Sequence, residues 1–203
     1  MSIVIAGIHT GIGKTVCSAI ICEAKGFDYF KPVQAGELDN TDSMFVKRNV
    51  SNAECTVHRE AYRLKLAASP HYAAREEGIE IKKEDIVLPV THNNLLIETA
   101  GGIMSPLANN FLNLDLMEHL KLPVVLVSNN YLGSINHTLM SYLALKNRGI
   151  KITGIVFNGE ENKASETYIL QYTQLPFLFS IPQFEVINKE TIAEFARTIR
   201  VNF

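Results

Sequence analysis

Cysteine is scarce in this chain and follows no pattern. Cys17, Cys22 and Cys55 make an odd count with no CxxC pair. That excludes a disulfide framework and a zinc ribbon, and it fits a reducing compartment. Long apolar runs are missing as well. The strongest, Pro123-Val124-Val125-Leu126-Val127, is far too short for a membrane span and suits a buried strand. The opening MSIVIAGIHTG is apolar for only a few residues and has no basic n-region. It does not read as a signal peptide, so a cytoplasmic location is expected. No charge of one sign dominates: 19 Lys and Arg against 21 Asp and Glu leave a formal net charge of -2. This balance argues against nucleic acid or an anionic membrane as partner. Internal repeats and low-complexity segments are also missing.

What is present is ordinary globular composition, 47% hydrophobic and 20% charged over 203 residues. A chain of this length buries a full core without staples, and a single domain spanning residues 1–203 is expected. Short apolar runs alternate with longer mixed segments. The runs are Ile3 to Ala6, Tyr29 to Val33, Leu95 to Glu98, Pro123 to Ser128, Ile152 to Phe157 and Phe177 to Ile181. Their apolar residues do not alternate with polar ones, which predicts strands buried on both faces. Helical patterns fall at Lys14 to Ala24, Asp42 to Arg48, Pro70 to Glu77, Leu114 to Leu120, Ile135 to Arg148, Lys163 to Thr173 and Lys189 to Ile199. The alternation predicts an α/β fold: a doubly wound, mostly parallel sheet flanked by helices, with right-handed crossovers. Gly149, after Lys146 and Arg148, reads as a helix C-cap. The polar stretch from Gly36 to Arg59 is the least regular, either a mobile loop beside a site or a plain surface connection.

The strongest motif is Gly7-Ile8-His9-Thr10-Gly11-Ile12-Gly13-Lys14-Thr15. It follows an apolar strand and opens a helical pattern, the context in which a glycine-rich loop cradles phosphate. Backbone N–H groups and the helix N-terminus would face phosphate oxygens. Lys14 would reach the β- and γ-phosphates, and the Thr15 hydroxyl would ligate Mg²⁺. Five residues separate Gly7 from Gly13, one more than the common pattern has.

Phosphoryl transfer needs carboxylates for a metal and cations for the transferring group. Glu98 ends the run Leu95-Leu96-Ile97 ahead of Thr99-Ala100-Gly101-Gly102, a strand-tip position suited to Mg²⁺. Lys31, between Tyr29-Phe30 and Pro32-Val33, is either a solvated strand-end lysine or a point charge aimed into the site. Asp42 is either a helix-terminal acid or a metal ligand, and its position favours the cap. Ser134 is a plausible N-cap for the helix after Leu132-Gly133, whose free N–H groups could hold a carboxylate. His137 and His71 read as packing or surface histidines.

Taken together the motifs resemble those of the dethiobiotin synthetase family, P-loop ligases of biotin synthesis. GIHTGIGKT is similar to the family's GTDTxxGKT, FKPVQAG to its KPVxxG, and NTDS to its metal-binding aspartate region. SPHYAA resembles its SPH motif, LIETAGGIMSPL its ExAGGxxxPL, and LGSINH its LGxINH helix start. GIVFN and SIPQF resemble its adenine-binding segments. The likeness runs in order over nearly the whole chain. It implies a P-loop NTPase fold, a homodimer, ATP and Mg²⁺, and closure of a ureido ring from CO₂ or bicarbonate and 7,8-diaminopelargonate. It further implies that Gly11, Ile12, Gly13, Lys14, Thr15 and Val16 wrap the triphosphate. Lys14 and Lys31 would stabilise the carbamate and transferring phosphoryl, with Thr10 beside the carbamate. Thr15, Asp42 and Glu98 would hold Mg²⁺, and Thr99, Ala100 and Gly101 would lie against the nucleotide. Asn158, Gly159, Pro182, Gln183 and Phe184 would line the adenine pocket. Ala35 would face substrate. Leu132, Gly133, Ser134, Ile135 and Asn136 of a second subunit would hold the substrate carboxylate.

Four departures stand out. Ile8 and His9 replace the family's Thr-Asp, Ala35 a frequent Ser or Thr, and Thr99 a frequent glycine. The late acidic residue aligns with Lys189 or Glu190. One rival is a P-loop ATPase switch of the partition or metallo-insertase type. It would carry a signature lysine five residues before Lys14, where His9 stands. A guanine motif is also missing, since the late strand is followed by Asn158-Gly159-Glu160-Glu161. A nucleotide-binding paralogue without turnover is the remaining alternative.

Overall fold

The structure is a computed structural model and describes residues 2–200. Its centre is a six-stranded sheet. The chain enters through β1 (Ile3–Gly7), continues to the edge strand β2 (Asp28–Phe30), and returns between them as β5 (Leu95–Gly102). It then crosses to the other side of β1 for β8 (Val124–Asn129), β9 (Ile152–Asn158) and β10 (Phe177–Ile181). The order is β10-β9-β8-β1-β5-β2, and every pairing is parallel. β1 and the first five residues of β8 are buried throughout, as their unbroken apolar runs require. Each large aliphatic side chain so buried contributes about 1.5–3 kcal/mol relative to exposure.

The helices are α1 (Lys14–Lys25), α2 (Asp42–Asn49), α3 (Pro70–Glu76), α4 (Asn113–Leu120), α5 (Ser134–Asn147), α6 (Lys163–Thr173) and α7 (Lys189–Ala196). Two small side sheets complete the fold: β3 (Val33–Ala35) parallel to β4 (Tyr62–Leu64), and β6 (Pro106–Ala108) antiparallel to β7 (Phe111–Leu112).

The structure revises several sequence expectations. The run from Tyr29 to Val33 is not one strand. Pro32 has no N–H to give a ladder, and its carbonyl accepts from the Tyr62 N–H at 2.9 Å. The chain therefore leaves the central sheet after Phe30 and joins β4, with Lys31 at the break. Glu98 is not at a strand tip. It lies inside β5 opposite Ile5, and β5 continues until Gly102 pairs with Gly7, because β1 offers partners that far. Thr41, not Asp42, caps α2, its side chain accepting from the Met44 N–H at 3.1 Å. Gly133, not Ser134, caps α5, because the cap has φ 100°, a conformation that a serine side chain disfavours. Gly149 sits one residue past the α5 cap Arg148. There Gly149 N–H donates to Lys146 and Ile150 N–H to Leu145, the paired bonds of a Schellman end.

Candidate functional site

The loop from Ile8 to Gly13 joins β1 to α1 at the carboxyl ends of the strands, where doubly wound sheets bind ligands. Gly13 is needed for two reasons. Its φ is 90°, and a Cβ there would stand 2.3 Å from Asn158 Nδ2. That close approach exists because the Asn158 amide donates to the Ile12 carbonyl at 2.9 Å, tying the end of β9 to the loop. A cavity of about 660 Å³ opens beside the loop. Into it converge Thr10, Gly11, Ile12, Gly13, Lys14, Thr15 and Val16 with Lys31, Ala35, Asp42, Glu98, Ala100 and Gly101.

At its floor the Thr15 hydroxyl lies 2.9 Å from both Asp42 Oδ1 and Glu98 Oε1. The buried Lys31 ammonium bridges the same two carboxylates, bonding Asp42 Oδ2 and standing 3.3 Å from Glu98 Oε1. Burial alone would lower the Lys31 pKa, but the charges of Glu98 and Asp42 hold it above its ordinary value. Burial would likewise raise the Asp42 pKa, and Lys31 brings it below normal. Lys14 differs. Its Nζ donates to the His9 carbonyl at 3.1 Å and, among the described residues, pairs with no carboxylate, so burial prevails and its pKa falls to about 8. The site thus holds one cation already neutralised by its neighbours and one whose partner, among the described residues, is only a backbone oxygen.

Glu98 is fully buried and satisfied on both oxygens. Oε2 accepts from Ser18 Oγ at 2.7 Å and Tyr29 Oη at 3.0 Å, while Oε1 faces Thr15 and Lys31. Burial and the Glu98 charge push the Tyr29 phenol pKa well above normal, so it stays a donor. Sequence reading missed both donors. Ser18, one turn after Lys14, is a polar residue in an inward-facing apolar helix stripe, a readable signal. Tyr29 reads as core. Gln34 was missed too: its amide donates to the Gly36 carbonyl at 3.0 Å and accepts from the Asp42 N–H at 3.4 Å, fixing the start of α2. Glu37, at φ 52°, and Ser69, from the SPH segment, also line the cavity.

Other expected residues lie elsewhere. Thr99 is buried in the sheet and donates to the Ile5 carbonyl at 3.2 Å, so its side chain faces away from the cavity. Asn158 does not line the cavity; its amide bonds the Ile12 carbonyl of the loop. Gly159, Pro182, Gln183 and Phe184 follow β9 and β10 outside the cavity wall; Phe184 packs edge-on to Phe195 with ring centroids 5.6 Å apart. Leu132, Gly133, Ser134, Ile135 and Asn136 form the entry to α5, also outside it. A second cavity of about 380 Å³ shares Thr10 and Ser105 with the first and reaches α5 at His137 and Met140. His137 accepts or donates to Tyr131 Oη at 2.7 Å, and His71 pairs with Ser69. Lys189 and Glu190 are exposed in the first turn of α7.

A glycine-rich loop entering a helix, a lysine and threonine at its end, and a carboxylate on the neighbouring strand define a P-loop nucleotide-binding protein. A family model described as an AAA domain matches residues 1–191. The chain belongs to the family of ATP-dependent dethiobiotin synthetases. It is 47% identical over 193 residues to the ATP-dependent dethiobiotin synthetase BioD of Cytophaga hutchinsonii, covering 95% of this chain and 93% of the relative. The BioD of Chlamydia felis is 42% identical over 196 residues, covering 97% and 92%. Among solved structures, a ParA family ATPase from Chlorobium tepidum TLS superposes with TM-score 0.60 at 12% identity, covering 97% of each chain. A chain of the Aquifex aeolicus MinC:MinD cell division protein complex gives 0.55 at 15%, covering 100% of this chain and 98% of that one. These likenesses concern the fold alone.

Proposed function

We propose that this protein is an ATP-dependent ligase that joins CO₂ to 7,8-diaminopelargonate and closes the ureido ring of dethiobiotin. The observation that carries the reading is the convergence of Lys14, Lys31, Thr15, Asp42 and Glu98 on one cavity, in a chain nearly half identical to a dethiobiotin synthetase.

One substrate amine captures CO₂ as a carbamate. The carbamate oxygen attacks the γ-phosphorus of ATP, ADP leaves, and a carbamic-phosphoric anhydride forms. The second amine attacks the carbonyl, phosphate departs, and the ring closes. The work of the protein is positioning and charge stabilisation, and no protein nucleophile takes part. Loop N–H groups and Lys14 hold the β- and γ-phosphates. Lys31 carries its charge to the carbamate and the transferring phosphoryl, and Thr10 orients the carbamate. Thr15, Asp42 and Glu98 form an all-oxygen donor set suited to Mg²⁺. Bound there with the triphosphate, Mg²⁺ offsets charge on the phosphate oxygens.

Asn158, Gly159 and the 182–184 segment are assigned to the adenine. The substrate carboxylate is assigned to the N–H groups of the 132–136 turn of a second copy in a homodimer. Support for the dimer comes from exposed Met104 and Met140, which line the second cavity, with exposed Leu143 on α5 and Leu132 just before it. No helix among the described residues is long and apolar enough to cross a membrane. The test is ADP release with ATP, Mg²⁺, bicarbonate and the diamine. Stimulation by the diamine is expected, and equal hydrolysis without it overturns the reading.

A further inference from the structure

The two oxygens of Glu98 have different surroundings. Oε1 faces the cavity, with Thr15 Oγ1 at 2.9 Å and Lys31 Nζ at 3.3 Å. Oε2 faces the protein, held by Tyr29 Oη at 3.0 Å and Ser18 Oγ at 2.7 Å. A carboxylate in water rotates freely about its terminal torsion, which is broad and nearly two-fold. Here the rotation would pull an oxygen away from two buried donors, at the cost of both hydrogen bonds.

The two donors are not equivalent. Ser18 also stands 2.9 Å from the Lys14 carbonyl, so its single proton is divided between Glu98 and its own helix. Among the described residues, the Tyr29 hydroxyl has Glu98 as its one hydrogen-bond partner. The Tyr29 ring is fully buried in β2, paired with Leu96 of β5, so it cannot swing aside. Its position two residues before Lys31 lets one short segment place both a cation on Oε1 and a donor on Oε2.

We propose that Tyr29 is a positioning residue for the metal-nucleotide site: its hydroxyl, with help from Ser18, locks Oε2 and thereby presents Oε1 of Glu98 to the bound cation. This rests on the reading of Glu98 as a metal ligand made above. The consequence is specific. Removing the hydroxyl leaves nucleotide contacts in place and loosens only the carboxylate that faces the metal, so the loss appears in the Mg²⁺-dependent part of nucleotide affinity.

The experiment is calorimetric titration of the full chain with ADP, once with Mg²⁺ and once with EDTA, for wild type, Glu98→Gln and Tyr29→Phe. The metal enhancement is the ratio of the two affinities. Glu98→Gln tests the underlying reading, which fails if this variant keeps the wild-type enhancement. Tyr29→Phe tests the proposal. Its affinity for metal-free ADP should stay as in wild type, which also certifies the fold, while the enhancement falls about tenfold. An unchanged enhancement in Tyr29→Phe, alongside a lost one in Glu98→Gln, overturns the positioning role and leaves the metal reading standing. An equal fall with and without Mg²⁺ also overturns it, since that marks a structural residue. Should Tyr29→Phe not bind metal-free ADP, Ser18→Ala, which strips the other Oε2 donor, is judged by the same ratio.

Discussion

Lys31 illustrates how much one side chain can depend on a break in the backbone. The sequence left it open between a solvated strand end and a charge in the site. Pro32 decides the matter by turning the chain out of the central sheet, so that Lys31 ends buried between Asp42 and Glu98. Its charge acts where negative charge moves in the transition state, so Lys31→Met should lower turnover by roughly 10²–10³-fold, with a much smaller change in KM for ATP. Steady-state kinetics with both substrates varied measures this; near-normal turnover would remove Lys31 from the chemistry. Asp42 was legible only in part, because its place at a helix start suited a cap as well as a ligand. Thr41 takes the cap and frees Asp42 for the site. Thr99 shows the opposite case: the family resemblance implied a nucleotide contact, but alternation along β5 turns its side chain to the other face.

Among elements, the strands were readable because parallel strands of a covered sheet are short apolar runs, and each of the six runs overlaps one central strand, although Tyr29 to Val33 overran β2. What sequence could not give was register. That Glu98 lies opposite Ile5, four residues short of the end of β5, follows from pairing with β1 and not from local composition. The far end of the sheet has its own device, also invisible in sequence. Asp28, at the start of β2, accepts from Thr91 Oγ1 at 2.7 Å, Thr56 N–H at 2.9 Å and Asn93 Nδ2 at 3.2 Å, and pairs with His58 Nε2 at 2.9 Å. Burial would raise its pKa, but these bonds, Thr91 foremost, hold it below its ordinary 3.8. A depressed carboxylate stabilises the fold above its unfolded pKa and loses that contribution as pH falls through the folded value. Asp28→Asn should therefore cost about 2 kcal/mol near neutral pH. Denaturant melts should show the gap between variant and wild type closing below about pH 4. A gap that persists in acid would mean that the cost comes from packing and not from charge.

For the whole molecule, near-neutral net charge conceals a strongly polarised centre, with two lysines set against two carboxylates. A chain-wide average cannot report such a cluster, whereas the order of motifs can. The entry to α5 lies outside the main cavity, in keeping with the proposal that it serves the site of a second copy. Met140, 56% exposed on α5, sits at the proposed contact. Met140→Glu should weaken self-association by at least about tenfold in sedimentation and lower diamine-dependent turnover, with ADP binding intact. A variant that stays associated and active would place the interface elsewhere. The central claim concerns chemistry, and its most direct measurement is carbon transfer. Incubation with ¹³C-bicarbonate, ATP, Mg²⁺ and 7,8-diaminopelargonate, followed by mass spectrometry and ADP assay, should yield dethiobiotin bearing one labelled carbon for each ADP formed. ADP released at the same rate without the diamine, with no labelled product, would contradict it.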